Sequence, residues 1–311
     1  MTKKRIVKMR NNDMEYIKMA DDLTFSRIVL GFWRLLDWGL SVDQLIDYLH
    51  EVLDIGITTM DQADIYGQYE AEEYLGRALK KDKSLAEKMQ IVTKCGIVYK
   101  GKNGARVKYY DYTKDWIMGQ VEKSLEYMGV DHIDLLLLHR PSPMMQPEEV
   151  ADAFETLKQE GKVTHFGVSN FLPDEFDLLQ SYVKEPLITN QVEFSALRME
   201  NMENGVLNQC LKNKIHPMLW SPLAGGRIFT SEDPDAVRLR ETLEVIREEI
   251  GADDIDAVAF AWLLAHPTQP LPITGSGEIK LAKRPVEALK YKLTLEQWFM
   301  IWTAVKGHKV P

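Results

Sequence analysis

Ile133–His139 reads IDLLLLH, a near-continuous apolar run of strand length that ends in a histidine. An unbroken apolar run suits a strand covered on both faces, as strands of a parallel sheet are. Seven similar short runs accompany it: Arg27–Gly31 (RIVLG), Thr58–Ala63 (TTMDQA), Gln90–Cys95 (QIVTKC), Thr164–Asn170 (THFGVSN), Ile188–Phe194 (ITNQVEF), His216–Pro222 (HPMLWSP) and Leu271–Ser276 (LPITGS). Helix-period stretches lie between them. Val42–Ile55 sets Leu45, Ile46, Leu49, Val52 and Leu53 on one face, with Ser41 as N-cap and Gly56 just past the end. Further helices are predicted over Thr113–Met128, Pro147–Glu160, Asp174–Val183, Val206–Lys212, Pro234–Ile250 and Ile255–Ala265. Two more, Leu281–Leu289 and Leu295–Val305, follow the eighth strand.

Strand–helix alternation through eight strands is the pattern of an α/β fold of the (β/α)8 TIM-barrel type with extra C-terminal helices. A doubly wound sheet is the competitor. Its glycine-rich first turn is missing, since Gly31-Phe32-Trp33-Arg34 stands there. No Gly/Ser-rich linker interrupts the chain, so residues 1–311 are expected to be one barrel domain. Ahead of the barrel, Ile6–Met9 and Tyr16–Met19 flank the turn-rich Arg10-Asn11-Asn12-Asp13, predicting a short N-terminal hairpin that plugs the barrel's bottom.

The charge balance is 38 basic against 47 acidic residues, a net −9, which argues against a nucleic-acid partner. Cys95 and Cys210 are too few for a disulfide framework and suit a reducing compartment. No apolar stretch approaches the roughly 20 residues of a membrane span. The start of the chain carries no uninterrupted apolar signal core. A cytoplasmic protein without a membrane partner is expected.

In barrels of this kind chemistry sits at the C-terminal strand ends. Asp61 and Tyr66 follow the second strand, Lys94 closes the third and His139 the fourth. A phenol is a weak acid at neutral pH, and a nearby ammonium stabilises its phenolate. A carboxylate keeps that ammonium charged, and an imidazole orients a carbonyl oxygen. Together they would protonate a developing alkoxide. None of the four is a strong nucleophile, so a hydride donor must come from a cofactor. Metal-ligand spacings are missing, so no metal is expected. Gly96 to Asn103 only grazes a P-loop, lacking its Ser/Thr.

The motifs Asp61-x-Ala63-x-x-Tyr66-Gly67, Gly167-Val168-Ser169-Asn170-Phe171, Asn190-Gln191-Val192-Glu193 and Trp220-Ser221-Pro222-Leu223 join Lys94 and His139 in resembling the aldo-keto reductase superfamily, from Gly31 to about Lys283. The resemblance implies reduction of a small aldehyde or ketone by a nicotinamide cofactor, without metal. It implies Tyr66 as proton donor, Asp61 and Lys94 as its tuning pair and His139 as the group that orients the carbonyl.

Ser169, Asn170 and Gln191 are then expected to clamp the carboxamide, and Trp220 to stack on the ring. Ser221, Pro222, Leu223, Ala224, Gly225 and Gly226 form a loop whose small residues admit a pyrophosphate, with Arg227 as a phosphate partner. Phe32 and Trp33 join the cofactor set, and Trp33 and Arg140 also border the substrate. Gly275, Ser276, Gly277 and Lys283 are expected at the adenosine end. NADPH is the expected cofactor. NADH stays open, because Glu278 and Leu281 stand where polar or basic residues are common in the family. Ile97–Tyr112 reads either as a loop over the mouth, with Tyr109, Tyr110 and Tyr112 facing substrate, or as a solvated surface loop. A nicotinamide-binding redox sensor with little turnover is the alternative function. Substrate identity and oligomeric state are not legible in the sequence.

Overall fold

Two strands precede the barrel in the computed structural model, which describes residues 14–311. β1 (Tyr16–Ala20) and β2 (Leu23–Ser26) pair antiparallel around Asp21 and Asp22. A hairpin therefore precedes the barrel, built from the second of the two expected strands and the segment that follows it. Tyr16–Met19 is its first strand, and the turn falls on an aspartate pair, a residue type that stabilises tight turns through its own backbone. Ile6–Met9 and the Arg10–Asp13 cluster lie outside the described residues.

The barrel strands follow: β3 (Val29–Gly31), β4 (Thr59–Asp61) and β5 (Gln90–Cys95). A small antiparallel ribbon of β6 (Ile97–Val98) and β7 (Tyr109–Tyr110) interrupts them. β8 (Ile133–Leu138), β9 (Val163–Ser169), β10 (Leu187–Glu193), β11 (Met218–Trp220) and β12 (Leu271–Thr274) complete the set. They close in the order β3-β4-β5-β8-β9-β10-β11-β12, with β12 back on β3, and every pairing is parallel. These are the eight runs read from the sequence. Most of the expected strands run past the ladder at their C-terminal ends, and several of those extra residues, His139, Asn170 and Ser221 among them, line the barrel's mouth.

Side chains alternate across a strand. Leu135 and Leu137 point into the barrel, while Leu136 and Leu138 pack outward with Phe154 and Phe166. Met19, Leu23 and Phe25 of the hairpin join the inward cluster of Val29, Val92, Leu135, Leu137 and Leu271. The hairpin thus closes the end opposite the mouth.

The helix Val42–Asp54 carries the expected Ser41 cap, reciprocated by Gln44. The helix Ala71–Lys81 was not read from the sequence. Its buried face is Ala71, Glu72, Leu75, Gly76, Ala78 and Leu79, opposite a surface rich in Glu and Lys. Gly76 is required there: a Cβ would fall 1.8 Å from the Tyr127 carbonyl oxygen. The C-terminal helices are Ile279–Ala288 and Leu295–Lys306. Trp298 of the latter stacks on Trp262 at 5.0 Å, and each indole N–H donates to the other's carbonyl. Among the described residues no helix is long and apolar enough to cross a membrane.

Candidate active site

Asp61 is the last residue of β4 and pairs in register with Val92 of β5. Lys94 is two residues further along β5, on the same face. Its ammonium donates to Asp61 Oδ2 at 2.8 Å, to the Gln62 carbonyl at 2.8 Å and to the Tyr66 hydroxyl at 2.9 Å. All three protons are used, and the side chain is only 1% exposed. Burial alone pulls a lysine down, but Asp61 and Tyr66 outweigh it and hold Lys94 above its ordinary value.

Tyr66 departs from expectation. The sequence argument has Lys94 lowering the phenol's pKa. Burial is the larger influence and leaves it above its ordinary value, with Lys94 and Arg140 pulling against it. The loop behind it is fixed: Gly67, Gln68 and Tyr69 all take positive φ. A Cβ on Gly67 would fall 2.6 Å from Leu36 Cδ1. Tyr69 donates its hydroxyl to the Ile97 carbonyl and accepts from the Tyr99 N–H, tying the loop to β6.

His139 is the first residue beyond β8, and its backbone N–H donates to the Cys95 carbonyl at 3.0 Å. Its ring meets Tyr66 edge to face, with centroids 5.9 Å apart. Burial, together with the charges of Lys94, Arg140 and Lys108, holds it well below the usual imidazole value, so the ring is neutral at pH 7. Nδ1 is buried without a partner. The four residues expected from the sequence therefore meet at one mouth.

The polar residues of the neighbouring strands are linked to each other. Gln191 Nε2 donates to Asp61 Oδ1 at 2.7 Å, so this carboxylate accepts from a lysine on one oxygen and an amide on the other. Trp220 Nε1 donates to Asn170 Oδ1 at 3.0 Å, Asn170 Nδ2 donates to Ser169 Oγ, and Ser169 Oγ donates to the Gln191 carbonyl. The Arg140 guanidinium lies 5.6 Å from the Trp220 ring centroid.

A cleft of about 1080 Å³ runs from Tyr66 and His139 past Trp220 to the end of β12. Trp33, 61% exposed, stands on its wall. So does the loop of Ser221, Pro222, Leu223, Gly225 and Gly226, and so do Gly275, Ser276 and Gly277. Other residues expected there lie elsewhere. Phe32 is fully buried against Trp38, because alternation turns it, like Leu30, away from the barrel interior and towards the helices. Ala224 is buried in the core, and Arg227 is ion-paired with Asp233 at 3.0 Å. Lys283 does not border the cleft, and its helix presents Leu281 and Arg284 instead.

The sequence reading missed Trp38, Tyr99, Lys108 and Phe260 on the cleft wall. Tyr99 and Lys108 come from the Ile97–Tyr112 stretch, which does reach the mouth. Its three other tyrosines do not border the cleft. Tyr109 and Tyr110 form β7, and buried Tyr112 donates its hydroxyl to the Arg140 carbonyl and accepts from the Arg140 N–H.

The sequence profile of the Aldo/keto reductase family matches residues 27–305. Oxidoreductase YdhF of Escherichia coli (strain K12) is 47% identical over 287 residues, 92% of this chain and 96% of that protein. A 6-dehydroglucose reductase of Agrobacterium fabrum is 42% identical over 300 residues, 96% of this chain and 100% of the relative. The crystal structure of the thermostable aldo-keto reductase Tm1743 aligns with a TM-score of 0.79 at 26% identity, covering 94% of this chain and 100% of that one. With the barrel and its mouth agreeing with a match over most of the length, the chain belongs to the aldo/keto reductase family of oxidoreductases.

Proposed function

We propose that the protein reduces an aldehyde or ketone to an alcohol, with Tyr66 giving the proton to the carbonyl oxygen. One observation carries this reading: the Tyr66 hydroxyl sits 2.9 Å from a buried ammonium that Asp61 and the Gln62 carbonyl hold in place. As the phenol gives up its proton, the negative charge forms beside Lys94, where low polarity strengthens the attraction. Asp61 keeps Lys94 charged, and Gln191 keeps Asp61 oriented. Neutral His139, against the Tyr66 ring, has one N–H to offer the carbonyl oxygen.

When bound, a nicotinamide dinucleotide, NADPH or NADH, supplies the hydride. The cleft suits such a group. At Gly225 and Gly226 nothing lies within 4 Å of where a Cβ would be, which leaves room at the backbone for a diphosphate. Asn170, Ser169 and Gln191 offer amide and hydroxyl groups for a carboxamide, and Trp220 offers a ring face. The tethering of Trp220 by Asn170 supports a fixed stacking surface. The alternative, a redox sensor with little turnover, has no feature of the site in its favour.

The Agrobacterium relative's name makes a sugar aldehyde the first substrate to assay. The test is steady-state reduction of a carbonyl panel by the purified protein. Repeated turnovers support the reading, and binding of dinucleotide with a single slow oxidation and no turnover contradicts it.

A further inference from the structure

We propose that the far end of the cleft selects a dinucleotide with a free 2′-hydroxyl on its adenosine ribose, so that NADH is favoured over NADPH. The proposal rests on the dinucleotide reading above. If the nicotinamide lies beside Tyr66, the rest of the molecule must follow the cleft past the Ser221–Gly226 loop. It then reaches the pocket bordered by Ser276, Glu278, Leu281, Arg284, Asp256 and Phe260.

A 2′-phosphate carries close to two negative charges and needs cations there. Lys280 and Arg284, on the helix that borders this end, each face a carboxylate. Lys280 Nζ lies 2.7 Å from Glu278 Oε2. Arg284 Nη1 donates to Asp256 Oδ2 at 2.8 Å and stands 3.3 Å from Asp254 Oδ2. Asp256 is only 3% exposed, and its Oδ1 is buried with no partner. Asp256 and Asp254 offset the Arg284 charge, so what Arg284 has left for a phosphate is the N–H donors of its other nitrogens, with little net attraction. Lys283 does not border the cleft.

The groups that remain point the other way. Glu278 borders the cleft at the cap of the helix Ile279–Ala288, whereas Lys280, its exposed partner, does not, so the carboxylate is the charge of that pair nearer the wall. There it opposes the pull that the helix start itself exerts on an anion. Leu281 is apolar and offers no donor. A ribose hydroxyl can donate to the Glu278 carboxylate, whereas a phosphate dianion has no proton to give and meets like charge.

Isothermal titration of the purified protein with NADH and with NADPH tests this by affinity alone. The wild type is expected to bind NADH at least about tenfold more tightly, the effect of one unfavourable charge pair in a partly solvated site. Raising the salt concentration should narrow that gap, because exposed charges are screened. Glu278→Lys should narrow or invert it by raising affinity for NADPH. Equal or tighter binding of NADPH by the wild type overturns the proposal. A large gap that Glu278→Lys leaves untouched overturns the assignment to Glu278. If neither dinucleotide binds, the underlying dinucleotide reading fails and this inference falls with it.

Discussion

Lys94 and Asp61 are hydrogen bonded at 2.8 Å across adjacent barrel strands, with Lys94 two residues beyond the strand partner of Asp61. That stagger puts the ammonium at the height of the loop after β4, where the Tyr66 hydroxyl comes down to meet it. Both charges are buried, so each is stable only because the other is present.

Removing Lys94 should therefore act on the acid before it acts on binding. In the folded protein burial and the Asp61 carboxylate raise the Tyr66 phenol, and Lys94 opposes them. Lys94→Met leaves both raising influences opposed only by Arg140. The alkaline limb of the pH–rate profile should move to higher pH, and turnover at pH 7 should fall by about a hundredfold or more. The double variant Asp61→Asn/Lys94→Met controls for the carboxylate left unpaired. A profile unchanged in Lys94→Met would take lysine out of the mechanism.

His139 is held neutral by burial and by the positive charges of Lys94, Arg140 and Lys108. Reduction should then show no acid limb near the usual imidazole value of 6.5, because the ring does not titrate there in the folded protein. The dependence of kcat/KM on pH between 5.5 and 8 is the measurement. A limb at 6.5 that disappears in His139→Asn would show that the imidazole does titrate in this range.

A carboxyl behind the site should set part of the protein's stability against pH. Glu72, on the helix that follows the Tyr66 loop, accepts from Thr93 Oγ1 at 2.6 Å and from Ser124 Oγ at 2.9 Å. Burial pushes it up from 4.5 to about 7. The folded form thus holds its proton more tightly than the unfolded chain. The resulting stability is complete below about pH 4.5 and is lost as pH rises through 7, a change on the order of 3 kcal/mol. Glu72→Gln should remove that slope. Its unfolding midpoint, compared with the wild type, should gain steadily from pH 5 to pH 8. Asp64, pushed up by burial and by Glu72, is expected to follow the same direction more weakly once Glu72 is gone. Parallel curves for wild type and variant would contradict the assignment.

The barrel was legible because its strands are short apolar runs whose last residues turn polar. The same feature exposed the site, since Asp61, Lys94 and His139 each stand at or near the C-terminal end of one of these runs. Partners far apart in sequence were not legible. The bond from Gln191 to Asp61 spans 130 residues, and no local pattern announces it. Local pairs misled in the opposite sense. Arg227 looked free for a phosphate, yet Asp233, six residues on, holds it. Phe32 looked like a wall of the cleft, and strand alternation buries it. The helix Ala71–Lys81 was legible too, since Ala71, Leu75, Ala78 and Leu79 recur at helical spacing opposite exposed Glu73, Arg77 and Lys81.

The most direct test compares Tyr66→Phe with the wild type on a panel of aldehydes and ketones, sugar aldehydes included, with NADH and NADPH in parallel. The hydroxyl is the only group removed, and Lys94 keeps both its other acceptors. The expected result is sustained turnover by the wild type, a loss of at least about a thousandfold in kcat in the variant, and dinucleotide affinity within a few fold. A variant that keeps most of the wild-type rate would show that the proton comes from another group.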